Sequence, residues 1–365
     1  MKFKIIRSKF LEGLKSVQNV VAGRGSLPII QNVLIEAGAN SITLTTTDLD
    51  ISIKTVCECE VSEPGRSTLP VKLLFNAVAK VVEGEVEISI DGSDRASISA
   101  GKARFKISGM PEGEFPRLPE EDKAYAYVVQ QATLKEMLRK VAYAASQDDT
   151  RRTIKGVLMR FKDEKLTMVA TDGRRLALVE NEMEFPKEAE RDIVLPAKAV
   201  QEIQRSLGSG EENINLKVCK SQICFEFGNI MIYSKMVSEN YPNYIQVIPK
   251  ECREKVVVDR QLLLDALDRA SVMTMDEAHS TKLIFDSNKL TVTSAASEIG
   301  SASDEVPIKY VGERLEIMFN PSYMMDPLKA IDDDEVKIEL IDGHSPAVIR
   351  CSIPFLYVLM PLRTN

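Results

Sequence analysis

The sequence predicts an α+β protein built from three similar domains. Three stretches begin with an amphipathic helix, and a pair of strands with alternating apolar and polar residues follows each helix. A second helix then opens beside a proline in each copy, and Pro70, Pro196 and Pro321 are 126 and 125 residues apart. A repeat of this length is domain-sized, which favours three domains over a short-period solenoid.

Length and composition agree with this prediction. The 365 residues exceed one ordinary core, and 44% apolar with 28% charged residues is typical of globular chains. The N-terminal stretch lacks an apolar run long enough for a signal peptide or a membrane span. We therefore expect a soluble cytoplasmic protein with no membrane partner.

The leading helices of the three copies are predicted at residues 9–22, 133–146 and 260–274. Their predicted N-caps are Ser8, Thr133 and Asp259. If Thr133 caps its helix, Glu136 completes a capping box three residues later.

The strand pairs that follow are predicted over residues 33–45, 156–169 and 283–293, where the alternation indicates half-buried antiparallel strands. Segments rich in proline and charge, 112–123 and 248–255, read as joints between domains. The predicted domains are therefore residues 1–122, 123–250 and 251–365.

One stretch, from Thr171 to Leu178, combines a tight turn with two adjacent arginines. Asp172-Gly173 suits a hairpin turn that requires a positive φ angle. The first copy keeps Thr47-Asp48 but lacks the glycine and the arginines. We interpret the aspartate as a residue that shapes the turn, and the residues from Gly173 to Leu176 as additions that form a site.

Common signatures of enzymes and metal sites are missing. The chain has two histidines, no Gly-x-x-x-x-Gly-Lys-Ser/Thr loop and no Gly-x-Ser-x-Gly elbow. Its six cysteines include no Cys-x-x-Cys pair, which favours reduced thiols used as small apolar residues. We expect no catalytic residues, no metal and no cofactor.

The repeat, the Thr-Asp-Gly-x-Arg-Leu run and four further segments resemble the bacterial sliding clamp family, the beta subunits of DNA polymerase III. Those segments are residues 23–29, 108–116, 240–244 and 357–363. The resemblance covers the whole chain. It implies a clamp fold with antiparallel sheets outside and two helices per domain inside, closed as a head-to-tail homodimeric ring around duplex DNA, with no hydrolytic activity.

The net charge of −7 fits such a ring, because linkage to DNA is topological and does not require many phosphate contacts. Only the pore-facing side must be basic. By resemblance, the residues that touch DNA are Arg24, Gln147, Arg151, Arg152 and Lys198.

Ring closure requires complementary ends on the first and third domains. An apolar contact flanked by basic residues on one edge strand and acidic residues on the other suits this role. By resemblance, one edge contributes Lys102, Arg104, Phe105 and Ile107. The other contributes Val272, Met273, Glu298, Asp304 and Glu305.

The resemblance also implies a groove that receives short linear peptides from the polymerase III alpha subunit, the clamp loader and repair proteins. Aliphatic and Met side chains suit an adaptable apolar pocket. The implied groove residues are Ile154, Thr171, Gly173, Arg174, Arg175, Leu176, Pro242, Val247, His344, Pro346, Val358, Leu359, Met360, Pro361, Leu362 and Arg363. Gln246 stands where the family often has arginine, and Thr364-Asn365 extend past its usual end, so peptide preference stays open.

Two alternatives belong to other classes. An enzyme could use Asp172 or Asp48 as a general acid or base, but it needs a second titratable group at a matching position. A DNA-independent interaction scaffold would share the repeat without the ring.

Overall fold

The computed structural model describes residues 1–21, 27–82, 84–117, 124–274, 280–296 and 300–362. In these ranges the α+β prediction is confirmed, since short helices accompany antiparallel sheets. The helices are α1 Arg7–Val17, α2 Val71–Lys80, α3 Gln131–Val141, α4 Ala197–Ser206, α5 Arg260–Ser271 and α6 Pro321–Ala330. Short 3-10 helices span Pro28–Gln31, Glu112–Glu114, Ala142–Ala144, Lys187–Ala189 and Tyr244–Val247.

The strands in the same ranges are β1 Lys2–Ile6, β2 Asn32–Ala37, β3 Ser41–Thr47, β4 Ile51–Glu58, β5 Glu60–Glu63, β6 Gly65–Pro70, β7 Glu85–Ile90, β8 Arg95–Ala100, β9 Ala103–Ser108, β10 Tyr125–Gln130, β11 Gly156–Lys162, β12 Lys165–Thr171, β13 Arg175–Glu182, β14 Arg191–Pro196, β15 Asn213–Val218, β16 Gln222–Phe227, β17 Ile230–Lys235, β18 Glu254–Asp259, β19 Thr281–Asp286, β20 Lys289–Ala296, β21 Gly300–Lys309, β22 Leu315–Phe319, β23 Glu335–Leu340, β24 Ala347–Arg350 and β25 Phe355–Leu359. They include the three predicted strand pairs, β2–β3, β11–β12 and β19–β20, each antiparallel.

The chain forms two compact units. Unit 1 contains Met1–Ala132 and Gln201–Met236, with a five-stranded sheet of order β5-β1-β7-β8-β9 and an eight-stranded sheet of order β10-β15-β16-β17-β4-β3-β2-β6. Unit 2 contains Thr133–Val200 and Val237–Asn365, with a twelve-stranded sheet of order β14-β11-β12-β13-β25-β24-β23-β18-β21-β20-β19-β22.

Edge pairing between neighbouring repeats explains these units. In unit 1, β17 of the second repeat pairs with β4 of the first, and Ile230 lies opposite Thr55. In unit 2, β13 of the second repeat pairs with β25 of the third, and Arg175 lies opposite Leu359. Pairing satisfies strand edges that would otherwise face solvent. The second repeat therefore contributes strands to both units, and the limits 1–122, 123–250 and 251–365 stay predictions.

Two of the three predicted N-caps are wrong. Asp259 caps α5 by accepting a hydrogen bond from the Leu262 amide at 2.8 Å, as predicted. Ser8 and Thr133 instead lie inside α1 and α3, which begin at Arg7 and Gln131. Both helices therefore begin before their predicted caps, and the predicted capping box with Glu136 does not form.

The first residue of each leading helix is held by a distant main-chain oxygen. The amides of Arg7, Gln131 and Arg260 donate to the carbonyls of Gly84, Glu212 and Asp334 at 2.8–2.9 Å. Such bonds satisfy helix N-terminal donors that have no partner within the helix, which explains the early starts.

Two further predictions concern the state of the cysteines and the absence of a membrane-spanning helix. All six cysteines are free thiols, as predicted. Across the described helices, none is both long and apolar enough to cross a membrane.

Candidate partner groove and nucleic-acid contacts

The turn between β12 and β13 is built by Asp172. Its Oδ1 accepts hydrogen bonds from the amides of Arg174 and Arg175 at 2.8 and 3.0 Å. Gly173 has a φ angle of 88°, as the hairpin prediction requires. Thr171 Oγ1 closes the turn by donating to the Arg175 carbonyl at 2.6 Å. The structure thus confirms that the aspartate shapes the turn.

The first repeat forms the same turn with a different surface. Asp48 Oδ1 accepts from the amides of Asp50 and Ile51 at 3.0 and 2.7 Å, and Leu49 occupies the position of Gly173 with a φ angle of 81°. The carbonyl of Asp50 accepts from the Lys235 amide at 2.9 Å. Arg174 makes the equivalent bond with the Met360 amide, also at 2.9 Å. An apolar Met360 in unit 2 therefore replaces a charged Lys235 in unit 1.

Half of the predicted groove residues line one cleft in unit 2. The cleft has a volume of about 40 Å³ and lies between the β12–β13 turn, the Tyr244–Val247 helix and the end of β25. Its lining residues are Thr171, Gly173, Arg174, Arg175, Leu176, Val247, Val358 and Met360. Buried aliphatic residues that include Leu176 and Val358 form its floor, a surface suited to an apolar side chain.

A second, wider depression of about 460 Å³ in unit 2 includes two more predicted groove residues, Ile154 and Pro242. Its other lining residues are Thr150, Arg151, Arg152, Thr153, Glu239 and Asn240. Arg151 links this depression to the turn of the cleft, because its Nη1 donates to the Asp172 carbonyl at 2.9 Å. The sequence did not predict Thr150, Thr153, Glu239 or Asn240 as lining residues, although Asn240 lies in the 240–244 segment that carries the family resemblance.

Of the predicted groove residues that the structure describes, five line neither cavity. Leu359 is buried in β25, opposite Arg175 and Ala347. The Leu362 amide donates to the Met318 carbonyl at 2.8 Å. His344 is exposed, whereas Pro346 and Pro361 are half-buried. Arg363, like the Thr364-Asn365 extension, lies outside the described residues.

Arg175 is a charged groove residue whose side chain is only 10% exposed. It contacts Asp172 within its own turn, and it contacts Asp326 and Tyr323 of α6. Tyr143 completes this cluster and was not anticipated from the sequence. Burial raises the pKa of the Tyr143 and Tyr357 hydroxyls far above the usual range, so both stay neutral.

Three of the predicted DNA contacts share one exposed loop. Gln147, Arg151 and Arg152 lie between Ser146 and Ile154, where the Ser146 amide donates to the Ile154 carbonyl at 2.9 Å. Local turns order this loop, since Asp148 Oδ1 accepts from the Thr150 amide at 2.9 Å.

The fourth contact, Lys198, is exposed in the first turn of α4. The register of β11 and β14 places Pro196 opposite Gly156, so α4 begins beside the end of the loop. The structure therefore brings four of the five predicted DNA contacts to one end of this strand pair. Arg24 lies outside the described residues.

Three of the four predicted dimer residues of unit 1 lie on β9, the terminal strand of the five-stranded sheet, and Lys102 directly precedes it. Lys102 and Arg104 are exposed and Phe105 is half-buried. Ile107 is only 4% exposed within its own chain, so its side chain packs in the sheet while its backbone remains at the edge. Arg104 donates to the carbonyls of Gly101 and Ala103 at 2.7 and 2.8 Å.

The predicted residues of unit 2 lie near β21. Val272 is 61% exposed and Met273 is half-buried. Asp304 and Glu305 are paired within the chain, with Arg269 at 2.6 Å and Lys289 at 2.9 Å. Glu298 lies outside the described residues. Among the described strands, β21 pairs with β20 along its length, whereas β18 covers only its end near Ile308 and Lys309.

In the described part of the chain, no group of three or more His, Cys, Asp or Glu side chains is arranged so that it could hold a metal ion. Asp172 also lacks the freedom of a general base, because Arg175 Nε donates to its second oxygen at 3.0 Å.

Comparison with known proteins agrees with this geometry. Family models of the DNA polymerase III beta subunit match the N-terminal domain at residues 1–119, the central domain at 128–243 and the C-terminal domain at 245–363. The beta sliding clamp of Caulobacter vibrioides is 32% identical over 373 residues, and the alignment covers all of both chains. That of Chlamydia muridarum is 30% identical, again over all of both chains.

Solved structures show the same fold. A sliding clamp from Bacillus subtilis matches with a TM-score of 0.97 at 27% identity, and one from Pseudomonas aeruginosa bound to griselimycin matches with 0.96 at 28%; each match covers 100% of both chains. The three-domain clamp fold is therefore confirmed. The chain belongs to the DNA polymerase III beta subunit family, the sliding clamps that serve DNA polymerase.

Proposed function

We propose that two copies of this chain close into a ring around duplex DNA, and that the unit 2 cleft holds the polymerase and other partners by short peptide segments. The chain acts without catalysis, as a cytoplasmic processivity subunit. The polymerase III alpha subunit, the clamp loader and repair proteins are the proposed partners.

The observation that carries the proposal is the convergence of three segments on one cleft. The β12–β13 turn, the Tyr244–Val247 helix and Met360 are distant in sequence but line one surface. Its floor is aliphatic, while exposed Arg174 and main-chain groups at the rim offer polar contacts. This combination suits an extended peptide with one or two apolar anchors.

Ring closure is supported by two strand edges of complementary character. At the start of β9, the exposed Lys102 and Arg104 precede Phe105. On β21, Asp304 and Glu305 supply the acidic side. Pairing these edges between copies would cover unpaired backbone groups in each.

Weak, mobile DNA contact is supported by the exposed cations Arg151, Arg152 and Lys198. A few phosphate contacts allow sliding, whereas a large basic surface would resist it and depend strongly on salt. The net charge of −7 fits a ring that is held topologically.

Retention on DNA tests the ring. The protein is loaded on a nicked circular plasmid by a clamp loader, and gel filtration follows retention before and after linearisation. Retention on the circle and rapid loss from the linear form are expected, together with a solution mass of twice 40.6 kDa. Equal retention on both forms, or a monomeric mass at micromolar concentration, would contradict the ring.

A further inference from the structure

The geometry assigns Arg175 to a positioning role. Besides lining the cleft, it anchors the groove turn of the second repeat to α6 of the third repeat. The inference rests on the proposed peptide-binding function and makes the groove dependent on the docking of these two repeats within unit 2.

The donors of Arg175 are committed to its own chain. Nε donates to Asp172 Oδ2 at 3.0 Å, Nη2 donates to the Tyr143 carbonyl at 2.7 Å, and Nη1 donates to Asp326. With a side chain only 10% exposed, the guanidinium presents little surface to a ligand. Its neighbour Arg174 is exposed and better suited to contact a peptide.

The face of α6 is built to receive this guanidinium. Tyr323 and Asp326 are three residues apart and therefore lie on one side of the helix. The Arg175 guanidinium carbon lies 4.1 Å from the centre of the Tyr323 ring, a distance typical of a cation–π contact. Tyr357 of β25 adds a bond from its hydroxyl to the Tyr323 carbonyl at 2.7 Å.

The first repeat shows that this turn can form without being anchored to a helix by an arginine. The turn at Asp48 has the same main-chain bonds, yet Ile51 stands at the position of Arg175. An arginine is therefore unnecessary for the turn itself. What Arg175 adds is a link to Asp326, which is 151 residues away in the chain.

Charge makes this link difficult to replace. Asp172 and Asp326 are 15% and 32% exposed, and both carboxylates face the same guanidinium. Removing the arginine leaves two partly buried carboxylates without a positive charge beside them. Removing the Asp326 carboxylate leaves the guanidinium bonded to Asp172 but no longer ion-paired with α6. Either change should release the turn from α6 and move the Met360 and Arg174 walls of the cleft.

Variants on opposite sides of the link test the inference. Binding of the purified polymerase III alpha subunit to immobilised clamp is measured for Arg175→Lys, Asp326→Asn and the double variant. Arg350→Lys is the matched control, since Arg350 pairs with Glu339 in the same unit, outside the cleft. Each single variant should bind roughly tenfold more weakly, and the double variant little more weakly than either, as expected for one shared interaction.

The outcomes are distinct. If Asp326→Asn binds like the unmodified protein, Arg175 does not act through α6 and the inference is overturned, whether or not Arg175→Lys loses binding. If the unmodified protein itself fails to bind the alpha subunit, the proposed function fails instead. Hydrogen exchange supplies a second readout: the amides of Arg174, Arg175 and Met360 should exchange faster in Asp326→Asn, while the dimer mass stays unchanged.

Discussion

The guanidinium of Arg151 donates a hydrogen bond to the main-chain oxygen of Asp172 at 2.9 Å. The same guanidinium packs against Gly173, because a Cβ atom built at that position would lie only 3.2 Å from Nη2 of Arg151. One residue of the predicted DNA contacts therefore packs against the turn that lines the proposed peptide groove. The two predicted sites, treated separately at the level of sequence, share Arg151.

Substituting Arg151 by alanine should weaken partner binding, because the Asp172 carbonyl in the groove turn loses its donor. We expect a loss of about 1 kcal/mol, or roughly fivefold in affinity for the alpha subunit. Arg152→Ala is the matched control, as an adjacent exposed arginine for which no contact with the turn is found. For binding to linear duplex DNA, both variants should reduce the slope of log affinity against log salt concentration by about one phosphate contact. Equal effects of both on partner binding would contradict the shared role.

Replacing Leu49 by glycine should stabilise unit 1. Leu49 holds a φ angle of 81° at the position where the second repeat has Gly173, and a side chain in this region costs about 1–2 kcal/mol. The gain should be about 1 kcal/mol after the greater flexibility of glycine in the unfolded chain is counted. Calorimetry should show a higher unfolding temperature. Leu49→Ala, which keeps Cβ and therefore the strain, should give no such increase.

Deleting residues 360–365 should abolish partner binding and leave the dimer intact. The deletion removes the Met360 wall and two main-chain bonds, from Met360 to Arg174 and from Leu362 to Met318. Neither bond involves β9 or β21. Mass measurement should return the dimer, and deleting only Thr364-Asn365 provides the control. Dissociation of the longer truncation into monomers would show that the groove and the dimer edge are not separate.

Alkaline pH should destabilise unit 1 through Cys57. Burial, reinforced by Cys59, raises the pKa of the Cys57 thiol from 9.0 to about 11. Because the folded-state pKa is the higher one, the stabilisation is complete below pH 9 and is lost as pH rises through 11. The loss should reach about 3 kcal/mol, measured as the decrease in unfolding free energy. Cys57→Ala should remove this part of the pH dependence; an unchanged slope would assign it to other groups.

Much of the fold could be predicted because its signals are local. The alternation of β2–β3, β11–β12 and β19–β20 and the prolines at the starts of α2, α4 and α6 are properties of short segments. The turn at Asp172 is local as well, since its carboxylate bonds amides two and three residues further on. Helix starts were less certain, because Arg7 and Gln131 are held by distant carbonyls.

The sequence by itself determined the threefold repeat, the strand pairs and the Asp172 turn, together with the resemblance that identified the family. The tertiary structure alone decided which arginine faces solvent. Arg174 and Arg175 are adjacent and chemically identical, yet one is exposed and the other is buried against Tyr323 and Asp326. The physical reason is that burial and ion pairing depend on segments far apart in the chain, which strand pairing between the second and third repeats brings together.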